Sequence, residues 1–320
     1  MDKEATVNKE SMRDGFAKGL IEAALANPKV VALDADVATA TKFNLFADKF
    51  PDRFFEIGIA EQNMAGVAAG MATMGLIPFI GTFACFASTR IADQVRVSIA
   101  QPGLNVKIIG PYSGLRTGQT GKTHQAVEDI ALFRGMPQVT IVAPADAYEA
   151  YLATKAIVDY DGPVYLRMTR DPAPVIFNNG HKFEIGPAYR LLDGNDVTII
   201  STGAMTIDTI QAAEELKKHH IECTVLHVPT IKPLDAEAVI AAAKHTGLVI
   251  TVEEHNILAG FGGAVAEILG EHYPVPVTRV GIRDVFGESG HNEPLMEKYG
   301  LTSKHIVNTV LGWIEKWKNR

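Results

Sequence analysis

Glu61 heads a long uncharged run, "EQNMAGVAAGMATMGLIPFIGTFACFAST", that ends only at Arg90. A lone carboxyl among apolar residues is a candidate for proton transfer. An acid at a helix start is also what the helix dipole favours, so Glu61 has a structural reading as well. The loop "GLRTGQTGKTHQ" closes on His124, either a solvated loop histidine or an imidazole placed to move protons on a substrate. Arg167 and Arg170 follow "PVYL" and read either as surface ion-pair partners or as guanidinium forks matched to a phosphate. Asp34 and Asp36 could contact a ligand or cap a turn. Phe83 and Phe86 are core rings on their own terms.

Three motif families fail on spacing. A P-loop needs glycine where Arg116 stands, although Arg116, Lys122 and the glycines around them could still hold an anion. "GFGGAVAE" has Val265 where a dinucleotide loop needs its last glycine. The histidines and cysteines show no metal-ligand spacing, so no metal site built by this chain alone is expected.

These residues must be positioned by regular elements. Met12, Phe16, Leu20 and Ala24 recur four apart after the cap residue Ser11, which predicts a helix running to about Asn27. Short apolar runs then alternate with helical patterns: "VVAL", "FFEIGI", "LIPFIGTF", "NVKIIG", "VTIVAP" and "PVYLRM". Such alternation predicts an α/β fold with a mostly parallel, doubly wound sheet. Asp34, Asp36, Glu61, Phe83, the 111–124 loop and Arg167 to Arg170 all fall at or just past the predicted strand ends, where such sheets bind ligands. A Pro-, Gly- and Asn-rich stretch without period places a boundary near residue 180, giving domains 1–180 and 181–320. The second, smaller α/β domain repeats the alternation with "VTIIS", "IECTVLHV", "LVITVEE" and "PVTRVGI".

A net charge of −7 leaves no basic excess for nucleic acid or anionic lipid. Gly75 and Pro78 divide the uncharged run into a helix over 62–74 and a strand over 76–82, each too short to span a membrane. Two separated cysteines and a charged N-terminus without a signal-peptide core lead to an expected cytoplasmic location.

The stretches "FFEIGIAEQNMAGVAAG", "GTF", "GQTGKTHQAVEDIALFRGMPQVTIVAPADAYE", "VYLRMTRDPAP", "VPTIKPLDAE" and "VITVEEHNILAGFGGAVAE" together resemble transketolases and the matching half of 1-deoxyxylulose-5-phosphate synthases. The resemblance implies thiamine diphosphate as cofactor. Glu61 would hold a proton at its aminopyrimidine ring and favour the imino tautomer, with Phe83 and Phe86 as the aromatic wall and Asp36 near the thiazolium. It also implies transfer of a two-carbon unit from a ketose to an aldose. His124 would contact the reacting end of the sugar, and Arg170, with Arg167 nearby, a terminal anion.

Some positions depart from the family pattern. Thr120 stands where an aspartate usually reads a sugar hydroxyl, Tyr112 where many members have a phosphate-contacting histidine, and Thr89 where an aromatic meets the cofactor. These changes leave open a branched or sulfonated ketose, a synthase-like condensation, or a non-catalytic scaffold. The resemblance begins at the pyrimidine-binding module. An N-terminal transketolase subunit is therefore expected to bring the diphosphate and Mg2+ site, in an α2β2 heterotetramer with the Glu61 helix at its interface.

Overall fold

A computed structural model describes residues 8–318; residues 1–7 of the charged N-terminal stretch lie outside them. Two sheets organise the chain. The larger runs in the order Thr230–Lys232, Thr140–Val142, Val164–Arg167, Lys107–Gly110, Ile77–Gly81, Val30–Asp34, Phe54–Glu56. Every neighbouring pair is parallel except the first. The smaller runs Val277–Ile282, Val249–Asn256, Val197–Ser201, Cys223–His227, Tyr189–Leu192, with only the last pair antiparallel. Strands buried along their whole length, such as Val30–Asp34 and Ile77–Gly81, are apolar because helices cover both faces.

The expected helix near the N-terminus forms as Met12–Ala26, with the Ser11 hydroxyl accepting from the Arg13 amide. It lies against the helix Ala147–Asp159, and Gly19 makes the approach possible: a Cβ there would come 2.7 Å from the Tyr151 carbonyl. Beneath the sheet, Phe16 packs on Phe43 and Phe79 with ring centroids 5.6 and 6.5 Å away. Each fully buried ring contributes roughly 1.5–3 kcal/mol relative to exposure.

The uncharged run divides at Gly75, which adopts φ +81°, into the helix Glu61–Thr73 and the strand Ile77–Gly81, with Pro78 inside the strand and not at the break. No described helix is long and apolar enough to cross a membrane. Met64, Ala65, Ala68 and Ala69 face the core, whereas Gln62, Asn63, Gly66 and Gly70 are exposed.

One strand departs from the two-domain expectation. Thr230–Lys232 belongs to the second half of the chain yet completes the edge of the first sheet, antiparallel to Thr140–Val142. Its side-chain pattern says only that it is extended. That it pairs across halves follows from the shared core, in which Ile141 and Val139 meet Ile231, Val239 and Phe261.

Candidate functional site

The carboxyl ends of Val30–Asp34, Ile77–Gly81, Lys107–Gly110 and Val164–Arg167 lie along one edge, and the candidate residues emerge from it. Past Gly81 the chain turns through Phe83 into a π-helical segment, Phe86–Arg90, a wide turn often found at functional sites. The Ala84 amide donates to the Pro111 carbonyl at 2.8 Å, and Ser113 donates to the Met168 carbonyl through both amide and hydroxyl. Three turns, carrying Phe83, Tyr112 and Arg170, are thereby held side by side.

A continuous seam results. Glu61 is 3% exposed, and its Oε1 accepts from Arg90 Nη1 at 2.5 Å. The Arg90 guanidinium lies 3.9 Å from the centre of the Phe86 ring. Phe86 and Phe83 are 6.0 Å apart, and the His124 ring is 5.3 Å from each. Tyr112 sits edge-on to Phe83 at 4.7 Å. The guanidiniums of Arg13 and Arg170 lie 5.1 and 5.4 Å from the Tyr112 ring centre, within cation–π range. An acid at one end is thus joined to two cations at the other by four rings.

Each end is held in place. Tyr112 has φ +62°, a strained conformation for a non-glycine residue, and its carbonyl accepts from Thr117 Oγ1 at 2.5 Å. The Thr123 hydroxyl is 2.8 Å from His124 Nδ1; with the hydroxyl as donor, the proton of a neutral ring sits on Nε2. Arg170 remains 36% exposed; among the described residues its side chain donates only to the Thr117 carbonyl, at 3.3 Å, and lies 3.7 Å from Asp171. Among the described residues Glu61 Oε2 makes no hydrogen bond. A carboxylate oxygen without a partner, on a carboxyl joined through Arg90 to the Phe86 face, suits a flat heteroaromatic ring carrying an N–H donor.

Other expected residues fall elsewhere. Arg167 is no clamp for an anion in this structure: it is 6% exposed, donates to Asp129 at 2.8 Å, and spends its remaining reach on the Ala126 and Glu254 carbonyls. Arg116 is likewise engaged, 2.6 Å from Asp208 and 3.2 Å from Glu254, so of the two loop cations only Lys122 stays exposed. Asp36 is exposed on a turn with φ +62°, its amide donating to Glu56, and makes no hydrogen bond or ion pair to the seam. Thr120 is exposed and donates to the Thr117 carbonyl at 3.0 Å. Thr89 donates to the Cys85 carbonyl at 2.6 Å. No group of three or more His, Cys, Asp or Glu able to hold a metal occurs among the described residues.

Two further residues, Arg90 and Arg13, complete the seam. Arg90 carries a signal in the sequence, since it is the cation that closes the run Glu61 opens. Arg13 carries no such signal: it reaches Tyr112 across 99 residues and is oriented by hydrogen bonds to the Ala40 and Arg170 carbonyls.

Behind the seam lies a sealed ionic cluster between the two sheets. Asp129 accepts from Tyr165 and Arg167. Burial pushes His255 down to about 4, so this ring is neutral. Its Nε2 accepts from the Ala131 amide, and its Nδ1 lies 2.7 Å from the Asn256 carbonyl, to which it donates. Burial pushes Glu253 up to about 7 against the opposing pull of the Gly262 and Phe261 amides.

Residues 8–174 match the family described as transketolase, pyrimidine binding domain, and residues 186–306 match transketolase, C-terminal domain. A subunit of 6-deoxy-6-sulfo-D-fructose transketolase from Clostridium sp. (strain MSTE9) is 44% identical over 96% of this chain and 95% of its own length. One of the subunits of apulose-4-phosphate transketolase from Phocaeicola vulgatus is 38% identical over 97% and 99%. A solved structure, described as a split gene transketolase in the form of an inactive beta4 tetramer, superposes with a TM-score of 0.89 at 44% identity, covering 95% of this chain and 98% of that one. The chain, with its acid-to-cation seam along the strand ends, belongs to the transketolase family.

Proposed function

We propose that this chain is the pyrimidine-binding and C-terminal subunit of a split, thiamine-diphosphate-dependent transketolase that moves a two-carbon ketol unit from a ketose with an anionic tail to an aldose. The observation that carries the reading is the seam, which puts a buried carboxyl and a pair of guanidiniums at opposite ends of one aromatic wall. Thiamine diphosphate, when bound, supplies a nucleophilic carbon and an electron sink for breaking the bond beside a ketose carbonyl.

The chain's own residues have separable tasks. Glu61 Oε2 accepts from the pyrimidine ring and holds the proton there, while Arg90 fixes Oε1 and so orients the carboxyl. Phe83 and Phe86 cover the ring face and exclude water. His124 exchanges a proton with the substrate oxygen at the reacting carbon. Arg13 and Arg170 hold the far anion, with Tyr112 as the spacer between them and the chemistry.

The named substrates of two relatives, a sulfonate and a phosphate, both carry an anion. That agrees with a tail site built from guanidiniums and leaves tail identity to the finer contacts. A partner subunit would bring the diphosphate and Mg2+ site in an α2β2 assembly. Its contact surface would include the exposed Ile59, Gly66, Gly70 and Met74. The solved relative is described as inactive in its beta4 form, which fits this dependence. Reconstitution tests the proposal: chain, N-terminal partner, cofactor and Mg2+ should pass a two-carbon unit from ketose phosphate or sulfonate to an aldose without gas release. Carbon dioxide evolved from a 2-oxo acid would instead assign a condensing synthase.

A further inference from the structure

We infer that the second domain takes part in substrate selection, and that His291 is a specificity-determining residue for the anionic tail; the inference rests on the reading of Arg170 given above. A cleft of about 630 Å³ opens beside Arg170, between Gly118, Gln119 and Asp171 of the first domain and 290–294 of the second. The 287–291 loop follows the strand Val277–Ile282 and is anchored onto the first domain at both ends. At its start Gln125 Nε2 donates to the Glu288 carbonyl at 3.0 Å. At its finish Asn292 Nδ2 donates to Asp171 Oδ2 at 2.6 Å, immediately beside Arg170 in sequence. Gly118, at φ +71°, lets the two walls meet, since a Cβ there would come 2.7 Å from Asn292 Oδ1.

This anchoring leaves His291 exposed, with Nε2 3.5 Å from Gln119 Nε2, on the wall across from Arg170. The carboxylates lining the same cleft are Asp171 and Glu293. One oxygen of Asp171 is occupied by Asn292, and the other lies 3.7 Å from Arg170 Nε, so the remaining guanidinium face is available to an anion. A tail entering here meets the Arg170 guanidinium fork and the Gln119 amide on one side and the His291 imidazole on the other. A tetrahedral phosphate or sulfonate, with three terminal oxygens, can use both walls at once. An uncharged hydroxymethyl end cannot. The cleft is therefore a two-domain reader of acyclic sugars ending in a tetrahedral oxyanion.

The test uses the assembled enzyme with its partner subunit and a matched pair of ketoses, one with a terminal phosphate or sulfonate and one with a plain hydroxyl. His291→Ala should raise KM for the anionic ketose roughly tenfold, leave kcat within about twofold, and leave the uncharged ketose unaffected. His291→Gln, which keeps a donor, should recover most of the loss. If His291→Ala changes both ketoses alike or neither, while Arg170→Ala still raises KM for the anion alone, the inference about the second domain is overturned and the tail site stands. If Arg170→Ala also fails to separate the two ketoses, the tail site itself is overturned.

Discussion

Arg167 and Arg170 are three residues apart on one strand end, and the fold gives them opposite lives. Arg167 turns inward to a sealed cluster in which Asp129, Tyr165 and two carbonyls take up its donors. Arg170 turns outward to the face of Tyr112 and a cleft, with donors to spare. The first joins two domains, and its charge is neutralised by a partner already present. The second keeps unfilled hydrogen-bonding capacity, which a ligand can use. Proximity in sequence is thus a poor guide to shared role. The useful discriminator is whether a charged group's partners are all within the chain.

The sharpest challenge to that contrast is stability. Arg167→Ala, which strands Asp129 as a buried charge, should cost about 3–5 kcal/mol in denaturant unfolding, whereas Arg170→Ala should stay within about 0.5 kcal/mol. Equal losses would erase the distinction. Next, Glu61→Ala in the assembled enzyme should lower kcat by at least about a hundredfold while unfolding free energy changes by less than about 1 kcal/mol, because its partner Arg90 is 41% exposed and can be solvated. A large stability loss without a rate loss would move Glu61 from chemistry to structure.

A smaller effect belongs to the outer arginine. Arg170→Ala should raise KM for anionic ketoses about tenfold and leave uncharged analogues near their original values, as steady-state kinetics on the matched pair will show. The smallest concerns Glu253, within the sealed region. Its folded pKa of about 7 exceeds the ordinary 4.5, so the native state holds an extra proton between these values. Stability therefore declines as pH rises through that window and levels off above it. Glutamine cannot ionise, so the native chain's stability measured against Glu253→Gln should be greatest below pH 4.5 and fall until about pH 7. A flat difference would mean that Glu253 is not desolvated as the structure describes.

Much of the seam is legible in residue order. Glu61 stands out as the acid opening an apolar run and His124 as the end of a glycine-rich loop, whereas Phe83 and Phe86, core rings on their own terms, gain a site role only through the family resemblance. Arg116 misleads because its two neutralising partners, Asp208 and Glu254, stand 92 and 138 residues away. Arg13 draws no notice because a helix that begins with Ser11 and Met12 explains itself without any reference to Tyr112.

Apolar periodicity, capping residues and chain-breaking glycines and prolines act within a few residues. For that reason the alternating strands and helices, the two-sheet plan and the helix headed by Glu61 followed from the amino-acid order. Charge neutralisation and burial act between segments far apart in the chain. Which arginine is sealed, which is free, and how Thr230–Lys232 comes to edge the first sheet therefore depended on how those segments meet in space.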